Sequence, residues 1–554
     1  MNMSPIAAWL QSAIDDATRR GLPALEPLLQ GLAQSTRMLR SAAFNLSALD
    51  EGAAAPPRVA REPAAAPAVS GPGAATPTRK PEAAQDRVRR AGPQGPTDAA
   101  LESPGLSQPG ARLSLDEFGR RLRSGLTSSV EATEACLDAI ERRDGLLNAF
   151  ILVTADEARR RAQEADAELA AGLDRGPLHG VPVSLKDLFD VRGLPTTAAS
   201  DVRRGHVASH DAAAVVQLQR AGAVIIGKTN LHEFAFGTTN EDSAFGPARH
   251  PLDATRSPGG SSGGSAVSVA AGMALATLGT DTGGSIRIPA AVCGLVGLKP
   301  TAGEIPTDGV VPLSHTLDHV GPLTSSVSDA WYVYQVLKGH VTPRALTPTG
   351  LTGLNIGIPR RYFCDLLEPD VRAVFDRSVE TLERGGARVA PCEIADAEYI
   401  AAIYLPIVFG EAAAYHAATL ESMPERYTLP VRLRLELARY VLAEDYLRAQ
   451  VGRTALCRQV DAALSWHDLL LLPTVPIVAP RIGEPTAVID GTSHPVRNLM
   501  LRLTQLFNLT GHPAVSLPCG LADGLPVGLQ VVGRRNDTTA LMHAALAIER
   551  AIGG

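Results

Sequence analysis

The sequence predicts an α/β protein, and three observations carry that prediction. Residues 213–228 form one unit, a helix carrying Val215, Val216 and Leu218 and then a strand at 223–227. The four leucines at 469–472 begin a buried strand that breaks at Pro473-Thr474-Val475-Pro476. Near the C-terminus, residues 514–517 and 527–532 read as a strand pair, with Gly524 and Pro526 in the turn. A chain of 554 residues, 45% of them hydrophobic, is long enough to bury a large core around such units.

In chain order, two amphipathic helices come first. Ser4 and Pro5 cap the first, whose Ile6, Trp9, Leu10, Ala13, Ile14 and Ala17 share a face until Gly21; Leu25, Leu28, Leu29, Leu32 and Leu39 mark the second. Two short helices cannot bury their own stripes, so they dock on the main body or on a second copy of the chain, a homodimer. The composition then shifts to Ala, Pro, Gly and Arg, as in PPRVAREPAAAPAVSGPGAATPTRKP, which has too little to bury to offset its ordering entropy. The chain therefore divides into a helical segment at 1–48, a disordered linker at 49–111 and a body at 112–554. In the body, Ser128 and Glu131 form a capping box ahead of Thr133, Leu137 and Ile140, and a charged, Ala-rich helix covers 155–171. Residues 180–191, GVPVSLKDLFDV, read as a strand that holds Lys186 in apolar company. Further helices are expected after the Ser/Gly stretch, including an amphipathic run over about 431–463.

The net charge of −6 leaves no surplus of positive charge for nucleic acid or an anionic membrane, and neither is expected as a partner. Six scattered cysteines, with no Cys-x-x-Cys pair and no paired histidines, suggest reduced thiols rather than a zinc site or disulfide framework; no metal or cofactor is expected. The apolar patch at 5–10 has no basic segment before it, and Asp15 and Asp16 follow, unlike a secretory signal; a cytoplasmic protein is expected.

The most informative stretch is 257–301, SPGGSSGGSAVSVAAGMALATLGTDTGGSIRIPAAVCGLVGLKPT. Residues 258–280 carry no charge, but glycines and serines crowd their start and no aromatic belt flanks them, so 266–278 is read as a buried helix rather than a membrane span. The ends of that helix matter more. Gly260-Ser261-Ser262-Gly263-Gly264 fits the G-x-S-x-G pattern of a nucleophile elbow, with His315 or His319 beside Asp318 as triad partners. The context argues against it, because the preceding Ala254-Thr255-Arg256-Ser257-Pro258 is polar and turn-forming rather than a hydrophobic strand. Two Gly-rich turns, each presenting serines, together with a lysine on an earlier apolar strand, form a different constellation.

That constellation resembles the amidase signature family of serine hydrolases. The resemblance covers about residue 113 to the C-terminus and continues through VSLKD, HEFAFGTTNEDSAFGP, LDHVGPLTSSVSDA, PTVP and NLTGHPAVSLPCGLADGLPVGLQVVG. It implies a large mixed β-sheet with helices on both faces, no cofactor, and a Ser-cisSer-Lys triad: Ser285 as nucleophile, Ser261 as bridging proton relay and Lys186 as general base. It further implies an oxyanion hole from the amides of Thr282, Gly283, Gly284 and Ser285, supported by Asp281, Arg287 and Ser262; an ordinary ion pair is the alternative reading of Asp281 and Arg287. Elementary chemistry agrees with the base. A lysine among Val183, Leu185 and Leu188 loses hydration when charged, so its pKa falls from about 10.4 toward neutrality. Asp187, next along the strand, should face the other way.

The expected reaction is hydrolysis of a small or medium carboxamide to acid and ammonia or amine. One rival is the glutaminase component of a glutamyl-tRNA(Gln) amidotransferase-like complex. Against it, Ile288 stands where that group usually has glutamine, and Leu501 stands where it has an acidic residue for the substrate's amino group. The N-terminal helices weakly resemble the small helical subunits that accompany some family members, including the amidotransferase and carboxybiuret hydrolase types, so a partner-dependent, non-catalytic role is a further alternative. Arg432, Arg434 and Arg453 are candidates for a substrate carboxylate or for solvated surface.

Overall fold

The computed structural model describes residues 5–44, 113–340 and 343–553. The linker expected at 49–111 lies outside them. One mixed sheet of eleven strands organises the body. In chain order these are β1 (Phe150–Val153), β2 (Pro182–Lys186), β3 (Val224–Thr229), β4 (Ala276–Asp281), β5 (Val296–Lys299), β6 (His319–Thr324), β7 (Asn355–Pro359), β8 (Arg388–Cys392) and β9 (Leu469–Pro473). A separate hairpin, β10 (Thr486–Ile489) with β11 (Thr492–Pro495), precedes the last two, β12 (Ala514–Ala522) and β13 (Leu525–Val532). The spatial order is β1-β3-β2-β4-β6-β5-β12-β13-β9-β7-β8.

The part of the sheet that matters is β3-β2-β4, which is parallel, with β6 added antiparallel to β4. Every residue of β2, β4 and β6 is buried, as strands covered on both faces must be. Val183, Leu185, Ala276 and Leu278 join the larger apolar cluster, whereas Val224, Ile226 and Leu323 join a second one. The second cluster is shared with two helices, α3 (Gly263–Ala270) and α4 (Arg287–Cys293).

Three expectations need correction. The helix expected over 266–278 is α3 alone; Gly272, at φ 72°, follows its end, and the rest of the apolar run becomes β4. Periodicity cannot separate a buried helix from a buried strand in so short an apolar stretch. Residues 431–463 form two helices, α6 (Leu429–Ala438) and α7 (Ala443–Trp466), separated at 439–442. The final hairpin turns at Asp523 and Gly524, at φ 49° and 74°, with Pro526 inside β13.

The N-terminal helices α1 (Pro5–Arg19) and α2 (Glu26–Ser41) dock on the body. Leu25, Leu29, Leu32, Ala33 and Leu39 are buried there, and α2 packs against α7 and α5 (Ile400–Ser422). The Arg40 guanidinium donates two hydrogen bonds to Asp445, at 2.7 and 3.0 Å, Arg20 pairs with Glu436, and Tyr440 donates to Asp16 at 2.7 Å. Among the described residues one span, Ala397–Ser422, is long and apolar enough to cross a membrane, and 61% of its most apolar window is buried inside the protein.

Candidate active site

Lys186 is the last residue of β2 and is fully buried. Its Nζ lies 2.8 Å from Ser261 Oγ and 2.8 Å from Thr280 Oγ1. Burial pulls its pKa down from 10.5 to about 7, against the opposing charges of Asp318 and Asp281. Asp187 turns away, as its strand position requires, and pairs with Lys228 at 2.7 Å. Among the described residues no carboxylate reaches ion-pair distance of Lys186, so its amine meets hydroxyls alone.

Ser261 sits in a turn whose Gly260–Ser261 peptide is cis. The turn presses on the backbone of 238–240: a Cβ on Gly260 would stand 2.9 Å from Asn240 N and 3.0 Å from Thr238 C. Asn240, at φ 58°, accepts hydrogen bonds through Oδ1 from the amides of Gly263 and Gly264, at 3.1 and 3.3 Å, and so caps α3. Hydroxyls bind α3 to the sheet beneath: Ser184 Oγ lies 2.8 Å from both Ser268 Oγ and Thr277 Oγ1.

Ser285 lies in the second turn, between β4 and α4. The two turns touch where the Ser262 amide donates to the Ser285 carbonyl at 3.3 Å; Ser262 Oγ donates to the Thr280 carbonyl at 3.2 Å. The Ser285 hydroxyl makes no hydrogen bond among the described residues and the residue is 5% exposed. The same scope leaves the amides of Thr282, Gly283 and Ser285 without an acceptor. Gly284 is different: its amide donates to Asp281 Oδ1 at 2.8 Å, which removes it from the expected oxyanion hole.

Asp281 holds this turn in shape. Its carboxylate receives Arg287 Nε at 3.0 Å and Nη2 at 2.9 Å, and Asn508 Nδ2 at 2.8 Å. Burial would raise the Asp281 carboxyl, but Arg287, Lys299 and Asn508 outweigh it and hold the group well below the usual carboxylate range. Arg287 is itself fully buried, and its remaining donors reach the Thr504 carbonyl, Gln530 Oε1 and Asn508 Oδ1. Neither histidine completes a Ser-His-Asp set: His319 Nδ1 lies 2.7 Å from the Leu317 carbonyl, and His315 is 73% exposed beside Glu411.

Thr280, Asn240, Asn508 and Gln530 escaped the sequence reading. All four lie within motifs that carried the resemblance, but nothing in the spacing says which side chain meets which turn.

A cavity of about 600 Å³ reaches the second turn only through its wall: among the described residues none of Lys186, Ser261 and residues 282–285 lines it. Its wall includes Tyr404 of α5 and Leu501 of the short helix α8 (Val496–Arg502); a Cβ on Gly283 would stand 2.6 Å from Tyr404 Oη and 2.9 Å from Leu501 Cδ2. α2 closes another side through Leu28, Gly31 and Leu32. Of the arginines singled out in the sequence, Arg434 lines the cavity but is bound to the Phe236 carbonyl and Asp242, and Arg453 is bound to Leu509 and Thr316.

The family model described as Amidase matches residues 131–542. An amidase of Pseudomonas putida is 42% identical over 455 residues, covering 79% of this chain and 96% of that protein. The A component of the glutamyl-tRNA(Gln) amidotransferase of Anaeromyxobacter sp. (strain K) is 40% identical over 485 residues, covering 80% of this chain and 96% of that protein. A crystal structure of an amidase superposes with a TM-score of 0.76 at 37% identity, covering 79% of this chain and all of the other.

Proposed function

The chain belongs to the amidase family, and from that premise we propose that Ser285, Ser261 and Lys186 carry out its amide hydrolysis as nucleophile, relay and base. One observation supports this most directly: a fully buried lysine amine, 2.8 Å from a serine hydroxyl, that meets hydroxyls alone among the described residues. At a pKa of about 7 the amine is neutral often enough to take a proton. Ser285 Oγ attacks the carbonyl carbon, and its proton passes through Ser261 to Lys186. The developing oxyanion is met by the amides of Thr282, Gly283 and Ser285, each such donor being worth about 3 kcal/mol in the transition state. The C–N bond then breaks as the proton returns to the leaving nitrogen. Water hydrolyses the Ser285 ester by the reverse relay, giving a carboxylic acid and ammonia or an amine.

Ser285→Ala should lower kcat on a cleaved amide by about 10⁴-fold or more, with the fold unchanged by circular dichroism. Retention of wild-type turnover would remove the nucleophile from Ser285.

The amidotransferase relatives favour a second reading, glutamine-dependent ammonia supply to partner proteins. Against it, the apolar Leu501 lies in the cavity wall beside the Gly283 turn, and among the described residues no Asp or Glu lines the cavity to receive an ammonium group. Glutaminase activity that arises only when the other amidotransferase components are added would reverse the preference.

A further inference from the structure

Among the described residues, the cavity whose wall meets Gly283 through Tyr404 and Leu501 is lined by three arginines, Arg434, Arg497 and Arg502, and by no aspartate or glutamate. Two of the three are occupied. Arg434 is bound to Asp242 and the Phe236 carbonyl; Arg502 donates to the Tyr362 carbonyl at 2.8 Å and lies 3.8 Å over the Tyr362 ring. Arg497 differs from both. Its Nε is buried without an acceptor, as that of Arg502 is, but Arg502 has an acceptor at another nitrogen whereas among the described residues no nitrogen of the Arg497 guanidinium has an acceptor or an ion-pair partner. Arg497 as a whole is only partly buried, but its Nε is buried without an acceptor, a cost that an anion arriving in the cavity would relieve.

The position of Arg497 says what arrives. It stands four residues before Leu501 on α8, hence on the same helical face, and Leu501 abuts Gly283 of the proposed oxyanion turn. One helical turn therefore separates the guanidinium from the wall against which the scissile amide would lie.

We infer that Arg497 is a substrate-anchoring residue, and that this amidase takes amides bearing a carboxylate a few bonds from the scissile carbonyl. The inference rests on the hydrolase reading above and narrows its substrate class. A planar carboxylate would accept two parallel N–H donors from Arg497, and the arginine-rich, carboxylate-free wall would favour the same charge. An ammonium-bearing end would be repelled.

The test uses the full chain and matched pairs: malonamate, succinamate and glutaramate, each against the neutral amide in which an isopropyl group replaces the carboxylate. The wild type should cleave at least one acid with a kcat/KM about 10–100-fold above that of its isostere, the range of one charge-assisted bidentate contact. In Arg497→Gln that ratio should collapse toward one, through KM, while Arg497→Lys should keep part of it. Isosteres cleaved as well as the acids by the wild type, or a ratio that survives Arg497→Gln, would overturn the proposal. Calorimetry with malonate, succinate and glutarate gives a readout independent of turnover. Binding that is lost in Arg497→Gln supports the anion site even if no amide in the panel is cleaved, an outcome that would count against the hydrolase reading alone. Absence of binding to the wild type would count against Arg497.

Discussion

Lys186 Nζ and Ser261 Oγ stand 2.8 Å apart, in a place where each is fully buried and no carboxylate among the described residues reaches the amine. The consequence is a lysine that is easier to deprotonate than an ordinary one, with its pKa near 7. Only the neutral amine accepts a proton, so kcat/KM should rise as pH passes through about 7 and level off above it. Lys186→Arg, charged at all accessible pH, should lose about 10²–10⁴-fold throughout. A profile that is flat or falling between pH 6 and 8 would exclude Lys186 as the base.

The same amine carries a stability signature. Folding lowers the Lys186 pKa from 10.5 to about 7, so between those values the unfolded chain binds more protons than the folded one, and stability rises with pH across that window. Lys186→Met removes the desolvated charge. It should gain about 1–3 kcal/mol at pH 6, part of the gain being offset by the stranded hydroxyls of Ser261 and Thr280, and lose activity altogether. Urea unfolding at pH 6 and pH 9 reads this directly: the gap between variant and wild type should shrink at the higher pH, and a constant gap would contradict the assignment.

How far these groups were legible from the sequence follows from where they sit. Lys186, Ser261 and Ser285 lie in short motifs whose residue types are unusual enough to stand out. The strand between the two turns did not: residues 276–281 continue an apolar, small-residue run, and only pairing with β2 and β6 makes them a strand. The partners of Arg287 were illegible for a similar reason, because Thr504, Asn508 and Gln530 arrive from the far end of the chain. Gly284 could not be told from its neighbours until the Asp281 carboxylate was seen to take its amide. Arg497 gave no signal in sequence, since a lone arginine in an amphipathic helix is ordinarily solvated.

Arg287→Leu should cost about 3–5 kcal/mol, because it strands the buried Asp281 charge rather than removing a pair. The pH dependence gives the prediction its sign. In the wild type the Asp281 carboxyl is depressed, so its stabilisation is present above the ordinary carboxylate range and is lost only as pH falls toward the lower folded value. Without Arg287, the largest opposing charge, burial pushes Asp281 upward, and acid unfolding followed by tryptophan fluorescence should begin at a higher pH. An unchanged acid midpoint would show that Arg287 does not govern Asp281.

Adjacent glycines in the second turn should fail in different ways when given a methyl group. Gly284 has φ 137°, and its Cβ would come within 2.2 Å of Thr504 Oγ1 and 2.7 Å of Ile288 Cδ1, so Gly284→Ala should destabilise the fold by about 2–4 kcal/mol. At Gly283 the Cβ would meet the tips of Tyr404 and Leu501 in the cavity wall. Gly283→Ala should therefore lower kcat/KM by about tenfold or more while the melting temperature moves little. Equal thermal losses in the two variants would refute this division between scaffold and site.

Gly31 offers a way to change the cavity without touching the chemistry. It lies within α2, lines the cavity, and a Cβ there would find no atom within 4 Å. Leucine is the better helix former by about 0.5–1 kcal/mol, so Gly31→Leu should stabilise the N-terminal hairpin slightly while its side chain occupies cavity volume. The expected outcome is a size filter: kcat/KM on amides with large acyl groups falls about tenfold or more, and turnover of the smallest cleaved amides is kept. Discrimination of that kind would establish α2 as part of the substrate wall. If large and small amides were affected alike, the contact of α2 with the cavity would have no bearing on which substrate is taken.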